Sequence, residues 1–225
     1  MAKRLFDIIF SLLILMLLIP LFIVVSIGIK IAARGPVFYV SERIGKNGKR
    51  FILYKFRSMY VRQNQKNYVI TSKDDPRVFH FGSIIRTLKI DELPQFFNVL
   101  KGDMSIVGPR PEAPEIVYKY YNENYLKTLC VRPGLISPGS LYNYTHGEML
   151  IDHKDPENSY VTKLLPLKMA MELIYIAKSN FLYDIELIMR TIFFLVYKFL
   201  GKKRFNNPPE YFQAISIVES WKKEN

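Results

Sequence analysis

The sequence predicts an α+β fold that is mostly helical, with a helix-break-helix inserted in a membrane at its N-terminus. Three observations indicate this fold. Residues 8–29 contain no charged side chain. Two short strand patterns flank one glycine-containing turn, and several longer stretches carry apolar residues at helical spacing. The chain of 225 residues is 49% hydrophobic, which is enough for one sizeable core.

The uncharged N-terminal segment is long enough to be a membrane helix, since about 1.5 Å per residue just crosses a core of about 30 Å. A cleaved signal peptide fits poorly, because the apolar run is long and Pro20 lies in its middle. A spanning helix and a re-entrant hairpin both remain. Pro20 favours the hairpin because proline bends a helix. Basic pairs on both flanks, Lys3 with Arg4 and Lys30 with Arg34, also favour it, because a span would place one pair outside.

A short β-hairpin is predicted directly after this segment. Residues 36–40 and 51–56 read as strands, and the Gly-Lys-Asn-Gly sequence at 45–48 is a turn signal. Polar residues 62–67 are predicted to form a surface loop. Helices are predicted over 83–89, 92–100, 112–129, 158–178 and 182–200. The last of these carries four charged residues, so an interface-lying amphipathic helix or a core helix is expected rather than a span.

The chain is strongly basic, with 32 Lys and Arg against 20 Asp and Glu and a net charge of +12. Such charge suits a nucleic acid, or anionic lipid and phosphorylated substrates. The apolar N-terminus favours the second class, and no nucleic-acid-binding motif is present. Cys130 is the single cysteine, so no intrachain disulfide is expected. His80, His146 and His153 lack the spacing of zinc ligands, so no zinc site is predicted.

Two adjacent carboxylates, Asp91 and Glu92, precede Leu93 and Pro94. Because proline is tolerated in a first helical turn, a helix is predicted to begin near Asp91. An acid there stays ionised and can act as a nucleophile or bind Mg²⁺, and the free N–H groups attract phosphate. The alternative is that Asp91 only caps the helix and Glu92 is a first-turn acid. Asp75 is a candidate second metal ligand or, since proline follows it, a turn former.

Arg110 lies between Pro109 and Pro111, so its backbone is stiff. A fixed arginine suits bidentate binding of phosphate. The alternative is a loop arginine that pairs with Glu112 or Glu115. Other basic residues add positive charge near the acids, unless each is an ordinary solvated charge: Lys55, Arg57, Arg77, Arg86 and Lys101.

Several sequence blocks stand in one order along the chain: KRLFD at 3–7, GPVFY at 35–39, YKFRSM at 54–59, DDPRV at 74–78, DELPQ at 91–95, KGDMS at 101–105, GPRPE at 108–112 and RPG at 132–134. In these blocks the chain resembles the bacterial sugar transferases. It is most similar to the small monotopic phosphoglycosyl transferases, which start glycan assembly on polyprenyl phosphate. The resemblance extends to about residue 191.

The resemblance implies a re-entrant membrane hairpin over 1–34, broken at Pro20, with Lys3 and Arg4 beside it. A catalytic domain over 35–200 and a basic C-terminal tail over 201–225 complete the expected organisation. The implied location is the bacterial inner membrane, with the catalytic domain on its cytoplasmic face. The implied partners are a UDP-sugar donor, a polyprenyl phosphate acceptor and membrane phospholipid, with no nucleic acid. A homodimer is left open.

For the chemistry, the resemblance implies Mg²⁺ and an Asp-Glu dyad. Asp91 would attack the β-phosphate of a UDP-sugar, UMP would leave, and polyprenyl phosphate would then take the phosphosugar. Glu92 would aid metal binding or proton handling, so Asp91 and Glu92 are the candidate metal ligands. Arg110 would hold phosphate. The full candidate set for substrate phosphate is Lys55, Arg57, Arg77, Arg86, Pro109, Arg110, Pro111 and Glu112.

The chain departs from the family pattern in two places. Ile19 stands where the family often has serine before the membrane proline. After Pro133 and Gly134 many members continue Ile-Thr-Gly-Trp-Ala-Gln, whereas this chain reads LISPGS, so residues 142–158 are expected to shape a different sugar pocket. Two alternatives to the covalent route are a direct transfer and a catalytically inactive, membrane-anchored docking module for glycan-assembly proteins.

Overall fold

The computed structural model describes residues 2–61, 75–152, 154–202 and 204–224. Within these ranges the protein is mostly helical and contains two small two-stranded sheets, so the predicted fold class is confirmed at this level. The predicted loop over 62–67, Asp74 of the DDPRV block and His153 lie outside the described residues.

The N-terminal segment forms two helices, α1 (Ala2–Leu17) and α2 (Ile19–Ala32), which are bent by 60° at Leu18. Pro20 lies in the first turn of α2, where its missing N–H breaks no hydrogen bond. The break thus falls two residues before the proline. No single helix in the described part of the chain is long and apolar enough to cross a membrane, but the bent pair passes that test by length and composition.

The first turns of α1 are attached to the rest of the protein by polar contacts. Lys3 forms an ion pair with Asp184 and donates to the Tyr175 hydroxyl at 3.2 Å. Arg4 donates to the carbonyls of Val99, at 2.6 Å, and Leu100, at 3.1 Å. The two basic residues expected beside the hairpin therefore bind the folded domain.

The predicted β-hairpin is confirmed, with β1 (Phe38–Ile44) antiparallel to β2 (Arg50–Phe56). A tight turn at Lys46–Gly48 joins the strands, and Asn47 adopts φ 57° there. The first strand begins two residues later than predicted and continues four residues further. The register pairs Tyr39 with Lys55 and so fixes the position of Lys55 on the strand.

A short helix, α3 (His80–Thr87), is followed by a 3₁₀ turn at Ile90–Glu92 and by α4 (Gln95–Lys101). The helix predicted over 92–100 therefore starts later, because a tighter turn holds the two acids. It ends as predicted at Gly102, which adopts φ 93° and provides the left-handed C-cap.

The second sheet pairs β3 (Ser105–Val107) in parallel with β4 (Gly134–Ile136). Three-residue strands are too short to show a period, so this sheet was not predicted. It brings Gly108 and Gly134 together so closely that a Cβ on Gly134 would lie 2.1 Å from the nitrogen of Gly108. The backbone before Arg110 is thereby held against the sheet.

The helix predicted over 112–129 is wrong in extent, since it divides into α5 (Pro114–Tyr120), α6 (Glu123–Leu126) and a 3₁₀ turn. Asn122 interrupts it because its side chain caps α6 by accepting from the Tyr125 N–H at 2.9 Å. Among the short helices that follow, α7 (Pro138–Tyr142) and α8 (Glu148–Leu150) were not predicted, whereas α9 (Pro156–Ser159) begins the helical stretch predicted over 158–178.

Three longer helices complete the chain: α10 (Leu165–Lys178), α11 (Phe181–Phe199) and α12 (Tyr211–Glu224). Helix α10 is the buried centre of the main core, and α12 packs on it through Ala214 and Trp221. Residues 201–225 were expected to form a basic tail. Lys202 and Arg204 are exposed as expected, but the second half of this segment is a helix with an apolar face.

Candidate active site

The two acids lie on the 3₁₀ turn between α3 and α4. Lys89, the residue before this turn, adopts the left-handed conformation with φ 57°. This conformation is uncommon for a residue with a side chain, and it turns the chain sharply between the two helices. Asp91 is buried, with 6% of its surface exposed. Neither acid caps a helix through a side-chain hydrogen bond in the described contacts, so the simple capping interpretation does not hold.

The Glu92 carboxylate is held by three side chains. Arg110 donates to both of its oxygens, at 3.0 and 2.5 Å. Lys55 donates at 3.2 Å and the Tyr144 hydroxyl at 2.7 Å. Burial alone would raise the pKa of Glu92, but the charges of Arg110 and Lys55 outweigh burial and hold that pKa well below its usual range. Arg110 therefore pairs with Glu92 rather than with Glu112 or Glu115.

Asp91 has the opposite environment. Its Oδ1 atom is buried and has no hydrogen-bond partner within the described structure. Burial raises the pKa of Asp91, and the nearby charges of Lys55, Lys89 and Arg86 only partly oppose this. Two neighbouring carboxyl groups with pKa values moved in opposite directions are typical of sites that divide chemical roles between them.

Lys89 and Tyr144 complete the cluster. The Lys89 ammonium lies 3.8 Å from the centre of the Tyr144 ring, as a cation–π pair. Burial lowers the pKa of Lys89 to about 8. Sequence reasoning missed both residues as site residues. The one signal was that Tyr144 falls in the segment 142–158, where the chain departs from the family pattern.

Arg86 belongs to α3, and Asp75 precedes that helix in the chain. The positive charge of Arg86 acts on Asp91 and on Asp75, and no side-chain hydrogen bond of Arg86 occurs among the residues that are described. Asp75 instead accepts from Arg77 at 2.6, 2.9 and 3.1 Å, and these bonds lower its pKa. Asp75 is thus engaged by Arg77, and the charge of Arg86 contributes to the field at Asp91.

Two further basic residues that were expected to lie near the acids, Arg57 and Lys101, make their hydrogen bonds elsewhere. Arg57 is buried and donates to the carbonyls of Ala33 and Arg34, both at 2.7 Å, so it fastens the end of α2. Its two recorded hydrogen bonds do not reach the carboxylate pair. Lys101 lies at the opposite end of α4 and donates to the Tyr54 hydroxyl at 3.3 Å.

The residues flanking Arg110 position its loop. The Pro109 carbonyl accepts from the Gly134 N–H at 2.9 Å, and Pro111 follows Arg110 directly. The buried Glu112 carboxylate binds Lys168 and the Tyr160 hydroxyl. Pro109 and Glu112 thus anchor the backbone and position Arg110.

The acidic side chains of the site can be compared with the ligands that Mg²⁺ requires. No group of three or more His, Cys, Asp and Glu side chains that could hold a metal occurs among the described residues. Mg²⁺ needs fewer protein ligands than such a group provides, because it is often held by one or two carboxylates together with substrate phosphates. The Asp91 carboxylate accepts no hydrogen bond among the described residues and can offer one oxygen to an ion, whereas both oxygens of Glu92 are already engaged. The residues fit an ion held by Asp91 and substrate phosphates.

A buried carboxylate surrounded by lysine and arginine is suited to binding anionic substrates. Comparison with known proteins agrees. The chain belongs to the bacterial sugar transferase family, whose model matches residues 1–198.

Three relatives illustrate the family. The chain is 50% identical over 121 residues to a putative undecaprenyl-phosphate N-acetylgalactosaminyl 1-phosphate transferase of Bacillus subtilis, covering 54% of this chain and 68% of that one. It is 38% identical to an undecaprenyl-phosphate glucose phosphotransferase of Komagataeibacter xylinus, over 85% of this chain but 35% of that one. It is 35% identical to an exopolysaccharide production protein, ExoY, of Sinorhizobium fredii, over 85% and 84%. The chain thus spans only about a third of some relatives.

Proposed function

We propose that the protein transfers a sugar-1-phosphate from a UDP-sugar to polyprenyl phosphate, releasing UMP and forming a polyprenyl-diphosphate sugar. This is an initiating step of bacterial surface glycan assembly. The observation that carries the proposal is the unpartnered, buried Oδ1 of Asp91 inside a cluster of cations, in a chain of the bacterial sugar transferase family. Relatives named as undecaprenyl-phosphate sugar phosphotransferases support the reaction class.

In the proposed first step, Asp91 Oδ1 attacks the β-phosphorus of the donor. A bond forms between Oδ1 and phosphorus, and the bond from that phosphorus to the oxygen bridging the two phosphates breaks. The electron pair leaves with UMP. In the second step an oxygen of polyprenyl phosphate attacks the same phosphorus and frees Asp91. The raised pKa of Asp91 means that nearby positive charge is needed to keep it ionised and able to attack.

The cations around Asp91 have separate tasks in this mechanism. Lys89 and Arg86 make no ion pair in the described contacts, so they are available to bind substrate phosphate. Lys55 and Arg110 hold Glu92, which keeps a negative charge fixed behind the site. Mg²⁺, when bound, would neutralise charge on the diphosphate. Held in place beforehand, these groups stabilise charge as it develops on the leaving phosphate.

For the membrane part we propose that α1 and α2 form a re-entrant hairpin, with the catalytic domain on the cytoplasmic face of the inner membrane. Outward apolar side chains on both helices support this, among them Leu17 and Val24. An apolar groove of about 540 Å³ lies between α1, α2 and α4. Phe38 and Phe97 line it, and Phe38 is next to Tyr39, the strand partner of Lys55. Its lining suits the isoprenyl chain of the acceptor.

The test is UMP release by purified, lipid-stabilised protein with Mg²⁺, undecaprenyl phosphate and a panel of UDP-sugars. One donor should give UMP, and Asp91→Asn should reduce turnover below detection while the protein stays folded. The matched control is Asp152→Asn, which should retain activity, because among the described residues the Asp152 carboxylate accepts only from the Lys154 N–H. Rapid quenching with the donor alone should trap a phosphosugar on wild-type protein.

Two results would contradict the proposal. UMP release that requires the acceptor, with no trapped adduct, would favour direct transfer over the covalent step. Absence of UMP from every donor, with folded protein and active controls, would favour the docking module.

A further inference from the structure

A second cavity, of about 390 Å³, lies between α11 and a group of residues that follow it, Lys202, Phe205, Asn206, Pro208 and Pro209, and we call it the α11 pocket. Its volume falls in the range of small-molecule sites, which begins at about 300 Å³. Its walls combine aromatic rings with two cations, and the residues that matter here are Phe194, Tyr197, Phe205, Arg190 and Lys202.

The α11 pocket adjoins the carboxylate cluster through one pair of rings. Tyr144, whose hydroxyl donates to Glu92 at 2.7 Å, is stacked on Phe194 with centroids 6.1 Å apart. Phe194 also contacts Phe205, with centroids 5.0 Å apart, and both rings line the pocket. Thr145, next to Tyr144 in sequence, also lines the pocket. The pocket thus lies one stacked ring pair from Glu92, the neighbour of Asp91 in sequence, on the side where a part of the ligand distant from the reacting phosphorus could bind.

The charges of the α11 pocket are unequal. Arg190 is neutralised, because it forms ion pairs with Glu186 and with Glu210, the latter at 2.7 Å. Lys202 forms no ion pair within the described residues and rests on the rings of Tyr197 and Phe205, at 4.8 and 5.4 Å. One uncompensated cation beside aromatic rings suits a flat base attached to an anionic group.

The order in which the parts of a UDP-sugar are bonded decides which part can occupy the α11 pocket. The sugar is bonded directly to the β-phosphate, so it must lie against the carboxylate cluster itself. The uracil base is separated from the β-phosphate by ribose and the α-phosphate. That separation suits the α11 pocket, which is separated from the carboxylate cluster by the rings of Tyr144 and Phe194. An isoprenyl chain is also distant from its phosphate, but an uncompensated lysine disfavours a hydrocarbon.

We propose that the α11 pocket binds the uracil base of the donor, with Phe205 as a stacking ring and Lys202 close to the α-phosphate. This inference rests on the proposed function for the identity of the donor. The pocket residues Lys202, Phe205, Asn206, Pro208 and Pro209 lie beyond residue 198, where the family match ends. Base recognition in this chain would thus depend partly on its own C-terminal segment.

The experiment measures equilibrium binding of UMP and of ribose 5-phosphate, which lacks the base, by lipid-stabilised full-length protein. UMP should bind more tightly, and Phe205→Ala should weaken UMP binding about 10- to 100-fold, in line with the loss of base stacking. Ribose 5-phosphate binding should not change in Phe205→Ala. Lys202→Met should weaken both ligands. The matched control Phe212→Ala removes an exposed ring of α12 outside the pocket and should behave as wild type.

Unchanged UMP binding in Phe205→Ala and Lys202→Met would overturn the inference. So would an increased KM for polyprenyl phosphate in Phe205→Ala with no change for the UDP-sugar, because the pocket would then serve the acceptor. The two proposals fail separately. Base-dependent UMP binding without turnover would contradict the proposed function alone, and turnover with an unchanged donor KM in Phe205→Ala would contradict the pocket alone.

Discussion

The ion pair between Lys168 and Glu112 connects the centre of the core to the loop that carries Arg110. Lys168, on α10, is 2% exposed and Glu112 is 8% exposed. Tyr160 donates a further hydrogen bond to the same carboxylate. Burial alone would raise the pKa of Glu112, but the Lys168 charge outweighs it and the net pKa is lowered. We expect Lys168→Met to leave this carboxylate buried without its counter-ion.

The magnitude follows from that burial. Removing one partner of a buried ion pair costs about 3–5 kcal/mol, because the remaining charge is uncompensated. For a domain of this size each kcal/mol lowers Tm by about 2–4 °C, so Lys168→Met should lower Tm by roughly 6–20 °C. The double variant Lys168→Met with Glu112→Gln removes both charges and should recover most of this loss.

The assay is thermal unfolding of the lipid-stabilised protein at pH 7.5, followed by the loss of UMP-releasing activity and by circular dichroism. Lys163→Met is the matched control, since Lys163 is exposed and its removal should leave Tm within about 1 °C of wild type. Equal Tm values for Lys168→Met and Lys163→Met would refute the reasoning. A double variant no more stable than the single one would show that lost packing, rather than the unpaired charge, causes the effect.

Three further predictions concern charged groups elsewhere. Because the pKa of Lys89 is lowered to about 8, turnover should fall as pH rises through that value. Lys89→Arg should keep its rate at pH 9, because arginine stays charged. Profiles of turnover against pH that are parallel for wild type and Lys89→Arg would contradict this. Burial raises the pKa of Glu172 to about 7 in the folded protein, whereas an unfolded glutamate has a pKa of about 4.3. Between about pH 4.3 and pH 7 the folded protein therefore keeps a proton that the unfolded chain loses, and wild-type stability declines as pH rises through this range. Glu172→Gln should therefore gain in Tm over wild type from pH 4.5 to pH 7.5, and a constant difference would count against it. Arg4→Met should cost about 1–3 kcal/mol, because two carbonyls of α4 lose their donor, while Lys30→Met, at an exposed position, should cost little.

The parts of the fold that depend on local signals could be predicted from the sequence. The turn at 45–48 gives the β-hairpin, Gly102 ends α4, and the apolar N-terminal segment breaks close to Pro20. The sheet of β3 and β4 could not be predicted in this way, because three-residue strands are stabilised by their pairing and by the close approach of Gly108 and Gly134. Helix α12 was missed because its apolar face is short and is defined by contact with α10.

The candidate site likewise combines features that the local sequence indicates with features that depend on tertiary contacts. Adjacent acids and a rigid arginine indicate phosphate chemistry, and the structure brings Glu92 and Arg110 into contact. Sequence alone cannot distinguish Arg57, which donates to two carbonyls at the end of α2, from Arg86, whose charge acts on Asp91. Each is a single arginine preceded by an apolar residue and followed by a hydroxyl residue, and only the fold decides which groups lie within its reach. Tyr144 joins the site across 52 residues of chain, beyond any local pattern.

In the proposed mechanism, the surroundings of the two acids explain why Asp91 rather than Glu92 would attack the phosphorus. Both Glu92 oxygens accept hydrogen bonds from Arg110, and Lys55 and Tyr144 bind the same carboxylate, so a phosphorus atom could approach it only after these bonds were broken. Hydrogen bonds to charged groups contribute about 1.5–3 kcal/mol each, so losing even two of them would add several kcal/mol to the barrier. Asp91 has no such cost at Oδ1, which is buried but unbonded. The dyad is therefore asymmetric before any substrate binds, and the asymmetry arises from the donors around Glu92 rather than from the acids themselves.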